Sequence, residues 1–459
     1  MAIASDERLG SAPLVKLVFS LALPSVVAQL VNLLYSIVDR VYIGHIPEIG
    51  ALALTGLGLC SPIILLVSAF AVIAGLGGAP LAAMELGRGD REKAGRILTM
   101  SFLMLLFFSI VLTISLLIFK LPLLRFFGAS DATIPYANEY VTIYLCGTIF
   151  VQLALGLNNF ISGQGQAKVA MLSVVIGAVA NIVLDPIFIF LFGMGVKGAA
   201  LATIISQGLS AAWVLRFLVS ERSIIRIRRE FMRPNFSIIG RITSLGISPF
   251  IMQSTECLIS IVFTNGLSRY GGDLYVGTFT VLQSVNQLLF IPSHGFTAGA
   301  QPIISYCFGA GKNERVKQCY RIMVAVTLSV SLLFYLFVFF FPELLAGMYT
   351  SDAALLQLSA EKLPIFMFGM SISGLLLSAQ TSLLGMGQAK VSLFIACLRK
   401  IVLLTPLALV LPRIGLGVDG IYLAVPISDL VSSISATILF YMISRKLLRK
   451  DNTTKETEE

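Results

Sequence analysis

The pentapeptide GQAKV occurs at Gly165–Val169 and again at Gly387–Val391, a displacement of 222 residues. Other stretches match at the same displacement. Ala79-Pro80 corresponds to Gln301-Pro302, GRGDRE from Gly87 to GAGKNE from Gly309, and GVKGAALA from Gly195 to GVDGIYLA from Gly417. With small gaps, Pro24, Leu121-Pro122, Asp131 and Pro186 correspond to Pro249, Phe341-Pro342, Asp352 and Pro406. Self-similarity at one fixed spacing marks a chain built from a duplicated unit. Here the unit is nearly half the molecule.

Composition says what the unit contains. The 459 residues are 57% hydrophobic and 12% charged, with a mean hydropathy of +0.90, whereas soluble domains carry roughly 25% charged residues. Apolar segments near 14–38, 52–79, 97–119, 134–160, 169–192, 197–219, 242–267, 274–300, 320–341, 358–383, 391–411 and 417–443 each reach the ~20 residues that cross the hydrocarbon core as a helix. Runs such as LLFYLFVFFF, Leu332–Phe341, are apolar on every side and lack the alternation of a membrane β-barrel. The expected fold is therefore an all-α polytopic membrane protein with twelve transmembrane helices. Six spans per copy leave both copies in the same orientation, which predicts two six-helix lobes related by a pseudo-two-fold axis along the membrane normal. The expected boundaries are an N-terminal lobe at 1–220, a cytoplasmic linker at 221–241, a C-terminal lobe at 242–444 and a disordered tail at 445–459. The first span is read as a retained helix, being too long for a signal peptide's apolar region.

The net charge of +9 reports topology rather than a nucleic-acid partner. With the N-terminus in the cytoplasm, 24 of the 33 Lys and Arg residues fall on cytoplasmic connections and seven on the opposite face, while Arg399 and Lys400 lie within a span. This bias predicts that both termini are cytoplasmic. In the join Glu221–Ser237, Ile224, Ile225 and Ile227 interleave with Arg226, Arg228 and Arg229, so the join is expected to lie on anionic headgroups. The six cysteines show no CxxC spacing and read as free thiols. His45 and His294 are too few and too distant in sequence to suggest a metal site. No HExxH, GxSxG or GxxxxGK[ST] sequence is present, which argues against an enzyme.

Ionisable groups inside spans cost about 2.5–3.5 kcal/mol on insertion scales and default to functional roles. Those here are Asp39, Asp185, Glu256, Arg399, Lys400 and Asp429. In NIVLDPIFIF, Asn181 precedes Asp185 by four residues and shares its helical face, and Pro186 cannot donate to the carbonyl of Ile182. A carboxylate, an amide oxygen and a free carbonyl suit a hard monovalent cation, and the carboxylate could equally carry a proton; the other reading is a hydrogen bond to a neighbouring helix. Asp39 shares a stripe with Asn32, with Tyr35 between them. Tyr140, Asn158, Asn159, Thr203 and Gln207 could converge with these, all in the first repeat. The second repeat has Ile401 and Thr405 in place of Asn181 and Asp185. Its own polar groups are Gln253, Glu256, Arg399, Lys400 and Asp429, and a pairing of Glu256 with Arg399 or Lys400 reads either as structural or as part of a proton or substrate site.

YSIVDRVYIG with GALALTGLGL, LGRGDREKAGRIL, GQAKV, NIVLDPIFIF, GVKGAALATIISQ and GAGKNERV together resemble the multidrug and toxic compound extrusion (MATE) family. The resemblance is to the bacterial branch typified by MepA and DinF and covers essentially the whole chain. It implies a V-shaped secondary active antiporter of the bacterial cytoplasmic membrane, exporting cationic amphipathic compounds in exchange for H+ or Na+, with no cofactor beyond that ion. It further implies a cation site at Asp39, Asn181, Asp185 and Thr203, with Asn158 and Tyr140 nearby, and a coupling or substrate role for Glu256 beside Gln253. The tenth helix, SISGLLLSAQTSLL, lacks the Asp that completes a C-lobe Na+ site in some members. Aromatic and Met side chains are expected to adapt the cavity to varied substrates, and the chain is expected to act as a monomer. A lipid or lipid-linked saccharide flippase of the same superfamily, suggested by Arg399 and Lys400, is the alternative.

Overall fold

The computed structural model describes residues 8–350 and 352–448, without the side chains of Cys257 and Asp273. The expected tail beyond 448 lies outside the described residues. Within them the chain is helical and contains no strand. The spans are α1 (Leu14–Gly44), α2 (Gly50–Gly87), α3 (Arg91–Phe126), α4, α5 (Ala167–Leu191), α6 (Val196–Val219), α7 (Phe236–Gly271), α8 (Leu274–Gly309), α9 (Asn313–Phe340), α10 (Ala353–Gly385), α11 (Ala389–Ile414) and α12 (Gly417–Leu447). The fourth is a broken span, Ile134–Cys146 and Thr148–Gly163, bent by 59° at Gly147. All twelve spans lie where the apolar segments place them.

Helices are required here because hydrocarbon offers no partner to a free backbone N–H or C=O. The turns between them explain what the repeat preserves. Gly89 and Gly311 have φ of 82° and 69°, Gly165 and Gly387 have 79° and 72°, and Gly195 and Gly417 have 56° and 52°. Each pair stands 222 residues apart, inside the matching peptides. Only glycine adopts this left-handed geometry without a steric cost, so the sequence has held these positions fixed in both copies.

The two lobes merge at one end and separate at the other. At the end bearing the chain termini, the apolar cores are shared. Ile242 and Leu245 of α7 join the N-lobe core around Ile73 and Ala74, and Leu17, Val18, Leu21 and Ala22 of α1 join the C-lobe core around Phe296 and Ala300. At the other end the cores are separate, one from residues 43–200 and one from residues 259–424. Glycines permit the merger. A Cβ on Gly309 of α8 would lie 2.0 Å from the Met84 carbonyl oxygen of α2, and one on Gly87 would lie 2.1 Å from that of Tyr306. Gly77 of α2 meets the Ile242 carbonyl in the same way, and Gly299 of α8 meets the backbone of Leu21 and Ala22. Small residues let membrane helices approach backbone to backbone, where dispersion and packing replace the absent hydrophobic drive.

Polar ties reinforce this end. Glu85 is buried beside Arg88 at 2.9 Å and reaches Arg241 of the opposite lobe at 3.9 Å. Lys312 and Arg315 donate to the carbonyls of Gly10 and Ala12 at 2.9 and 2.8 Å, fastening the segment before α1 to the loop after α8 and the first turn of α9.

Two boundaries differ from expectation. The second lobe's first helix begins at Phe236 and its last helix runs to Leu447. The linker is tied to the N-lobe through its apolar residues. Ser223 and Ile225 are buried, and Gln164 Oε1 accepts hydrogen bonds from Ser223 Oγ, Ile224 N and Ile225 N at 3.0, 2.8 and 3.3 Å. The isoleucines therefore pack into the N-lobe core, leaving Arg228 and Arg229 outside. The five cysteines with described side chains carry free thiols.

Valine at Gly309 would place its Cβ against backbone that cannot rotate away. Gly309→Val is expected to cost about 1–3 kcal/mol and to lower the melting temperature of the detergent-purified protein by several degrees. Gly240→Val, where nothing lies within 4 Å, should leave it unchanged.

Candidate functional site

Asp185 sits buried on α5 immediately before Pro186, and a π-helical turn over Ile187–Leu191 follows. Asn181 Nδ2 donates to Asp185 Oδ1 at 3.2 Å. Asp39 of α1 faces this pair, with its carboxyl group within hydrogen-bonding reach of that of Asp185. Asp39 Oδ1, Asn181 Oδ1 and Asp185 Oδ2 are all buried without a hydrogen-bond donor. Ionised carboxylates accept but do not donate, so two of them at this separation call for a proton or a cation between them. The three unpartnered oxygens, drawn from two helices, form the cradle for it.

Neighbouring groups close the site. Tyr140 of α4 is buried and reaches the side chain of Thr203 on α6, whose Oγ1 donates to Ala199 O at 3.0 Å. Tyr35 lies within electrostatic range of both aspartates. Asp39, Asn181, Asp185, Tyr140 and Thr203 thus surround one spot. Asn158 lines the adjoining cavity with Asn181 and Thr203, and its Oδ1 accepts from Ser173 Oγ at 3.0 Å.

A cavity of about 500 Å³ lies between the lobes. Asn158, Tyr35, Asn181 and Thr203 line it, with residues of α2, α7 and α8, while Asp39 and Asp185 stand behind this wall. The expected aromatic and Met lining is not what is found. Eight Asn and Gln side chains face the space, with many Ala, Ser and Gly residues, and Tyr35, Leu76, Leu155, Met171 and His294 are the larger exceptions. Of these amides, Gln29 and Gln301 escaped sequence reasoning. For Gln29 a signal existed, since Ser25, Gln29, Asn32, Ser36 and Asp39 recur at helical spacing along one stripe of α1.

The C-lobe is arranged differently. The Lys400 ammonium on α11 pairs with Glu256 of α7, and Arg399 Nε donates to Asp429 Oδ1 of α12 at 2.8 Å. Both cations occupy a π-helical stretch, Leu398–Leu404, and Thr405 just after it donates through Oγ1 to the Lys400 carbonyl at 2.8 Å. Thr405 stands where the first repeat has Asp185. Gln253, one turn before Glu256, faces the cavity, as does His294 of α8.

The MatE family model matches residues 24–187 and, a second time, 249–410. The chain belongs to the MatE family. Among its relatives, the "Multidrug export protein MepA" of Staphylococcus aureus (strain MRSA252) is 22% identical over 448 residues, spanning 96% of this chain and 97% of that one. A solved structure described as "Crystal structure of MATE in the bent conformation" superposes with a TM-score of 0.91 at 23% identity, over 98% of this chain and 99% of the other. A second, described as the "Outward-facing conformation of a multidrug resistance MATE family transporter of the MOP superfamily", gives 0.88 at 23% identity over 95% and 97%. At these identities the structural likeness speaks for the fold. It agrees with twelve spans in two lobes.

Asp429 and Arg399 are each less than a fifth exposed, so breaking this pair strands a charge. Arg399→Met or Asp429→Leu alone is expected to cost about 3 kcal/mol of stability, and the double replacement should recover most of it. Thermal unfolding of the single and double variants in detergent measures this cycle.

Proposed function

We propose that this MatE family member is a multidrug antiporter, exporting cationic amphipathic compounds in exchange for H+ or Na+. The Asp39–Asp185 pair carries the proposal, because its unpartnered oxygens favour an added positive charge and it borders the cavity between the lobes. When the cavity faces the cytoplasm with both carboxylates ionised, their field draws in a lipophilic cation. When it faces outward, H+ or Na+ enters the cradle, cancels that field and weakens substrate binding. Each inward elementary charge contributes about 2.3 kcal/mol per 100 mV of membrane potential.

Position refines the exchange. Tyr35 and Asn181 stand between the carboxylates and the cavity, so ion and substrate compete through the electrostatic potential and the placement of α1, rather than by contact at one atom. Pro24 lies within α1 and supplies the bend such a movement needs. Each chain encloses a complete cavity, which supports action as a monomer. The distribution of basic residues supports cytoplasmic termini. The two in-span cations, which would favour a lipid headgroup, are both committed to carboxylates, and this supports drug export over lipid flipping.

In proteoliposomes with imposed H+ or Na+ gradients, ethidium efflux is expected to follow one gradient and to fall at least about tenfold in Asp39→Asn and in Asp185→Asn, a loss of about 1.4 kcal/mol or more. Full gradient-driven efflux by both variants would sink the proposal.

A further inference from the structure

Glu256 and Lys400 are unequal partners. The Lys400 side chain is 7% exposed and that of Glu256 is 48% exposed, although they share a hydrogen bond. Lys400 therefore depends on the carboxylate, since a buried ammonium without a partner is costly. Glu256 is about half exposed and depends less on the ammonium. Its turn of α7 carries Gln253 into the cavity, and the cavity-lining His294 lies within electrostatic range of Glu256, Lys400 and Arg399. Arg399 is engaged with Asp429, which leaves Lys400 as the cation assigned to Glu256.

We infer that Lys400 is a tethered competitor, an internal cation that occupies the carboxylate of Glu256 and sets how strongly the C-lobe side of the cavity holds a positively charged substrate. This rests on the export of cations proposed above and adds a specificity residue to it. The geometry makes the cavity electrostatically lopsided. In the N-lobe Asp39 and Asp185 stand behind the cavity lining with no counter-charge from a side chain in contact, while in the C-lobe Glu256 and Asp429, also outside the lining, are each matched. A cation in the cavity is thus drawn to the N-lobe, where the coupling ion enters, and is not retained by the C-lobe when the N-lobe is neutralised. Release then requires one neutralisation instead of two. The same arrangement keeps Glu256 from serving as a second coupling-ion site while Lys400 holds it.

Removing the ammonium tests this without stranding a buried charge, because the Glu256 side chain is 48% exposed. Lys400→Met deletes the charge, and Lys400→Gln deletes it while retaining a hydrogen-bond donor for Glu256, which guards against a packing failure. Equilibrium binding of ethidium and of dihydroethidium, its uncharged reduced form, would be measured on purified wild type and both variants in Na+-free buffer. Both variants are expected to bind ethidium about tenfold more tightly than wild type and dihydroethidium equally, and to release ethidium more slowly when the external side is acidified in proteoliposomes. A purely structural pair would change neither the ratio of the two affinities nor the release. Unchanged or weaker ethidium binding in folded Lys400→Gln overturns the inference alone. Absence of ethidium binding and efflux in wild type overturns the export reading beneath it.

Discussion

The close backbone approach of α2 to α8 at Gly87 and Gly309 is the constraint on which the rest of the molecule depends. These glycines stand 222 residues apart, and each meets a carbonyl of the other helix within about a van der Waals radius of where a Cβ would be. Glycine at both positions lets the two lobes share their apolar cores at the end that carries the termini. Toward the other end the apolar cores are separate, one from residues 43–200 and one from residues 259–424, so a cleft opens between them. The cavity, its amide lining and the carboxylates behind it all follow from a contact confined to one end.

Duplication supplied two equivalent scaffolds and divergence gave them different electrostatic tasks. Both copies develop a π-helical stretch in their fifth span, after Pro186 in the first and before Pro406 in the second. In the N-lobe that irregularity adjoins Asp185, whose second oxygen is unpartnered. In the C-lobe it carries Arg399 and Lys400, each closed off by an acidic partner. The N-lobe therefore holds acidic oxygens without a partner where the C-lobe holds matched ion pairs.

Much of the fold was legible in the sequence because its causes are local. A run of about twenty apolar residues has no alternative in hydrocarbon but to form a helix, and a turn that needs φ near +70° keeps its glycine. Hence twelve spans and a duplicated architecture could be read before any contact was known. The candidate site was legible in part for the same reason. An ionisable residue such as Asp39 or Asp185 in an apolar span is conspicuous wherever it ends up, and the Asn181–Asp185 spacing places both on one face of one helix. The amides of the cavity were harder to find, since a lone Gln29 or Gln301 is unremarkable until its neighbours are known.

By itself, then, the sequence determined the spans, their pairing into two copies, the turns between them and the short set of polar residues that needed explanation. Only the tertiary structure decided that Asp39 meets Asp185, that Asn158 bonds to Ser173, that Lys400 takes Glu256 while Arg399 takes Asp429, and that the linker's isoleucines turn inward onto Gln164 and the N-lobe core. The reason is physical. Helix formation depends on neighbours along the chain, whereas which face of one helix meets which face of another depends on rotation and depth. Those are fixed by packing among residues hundreds of positions apart.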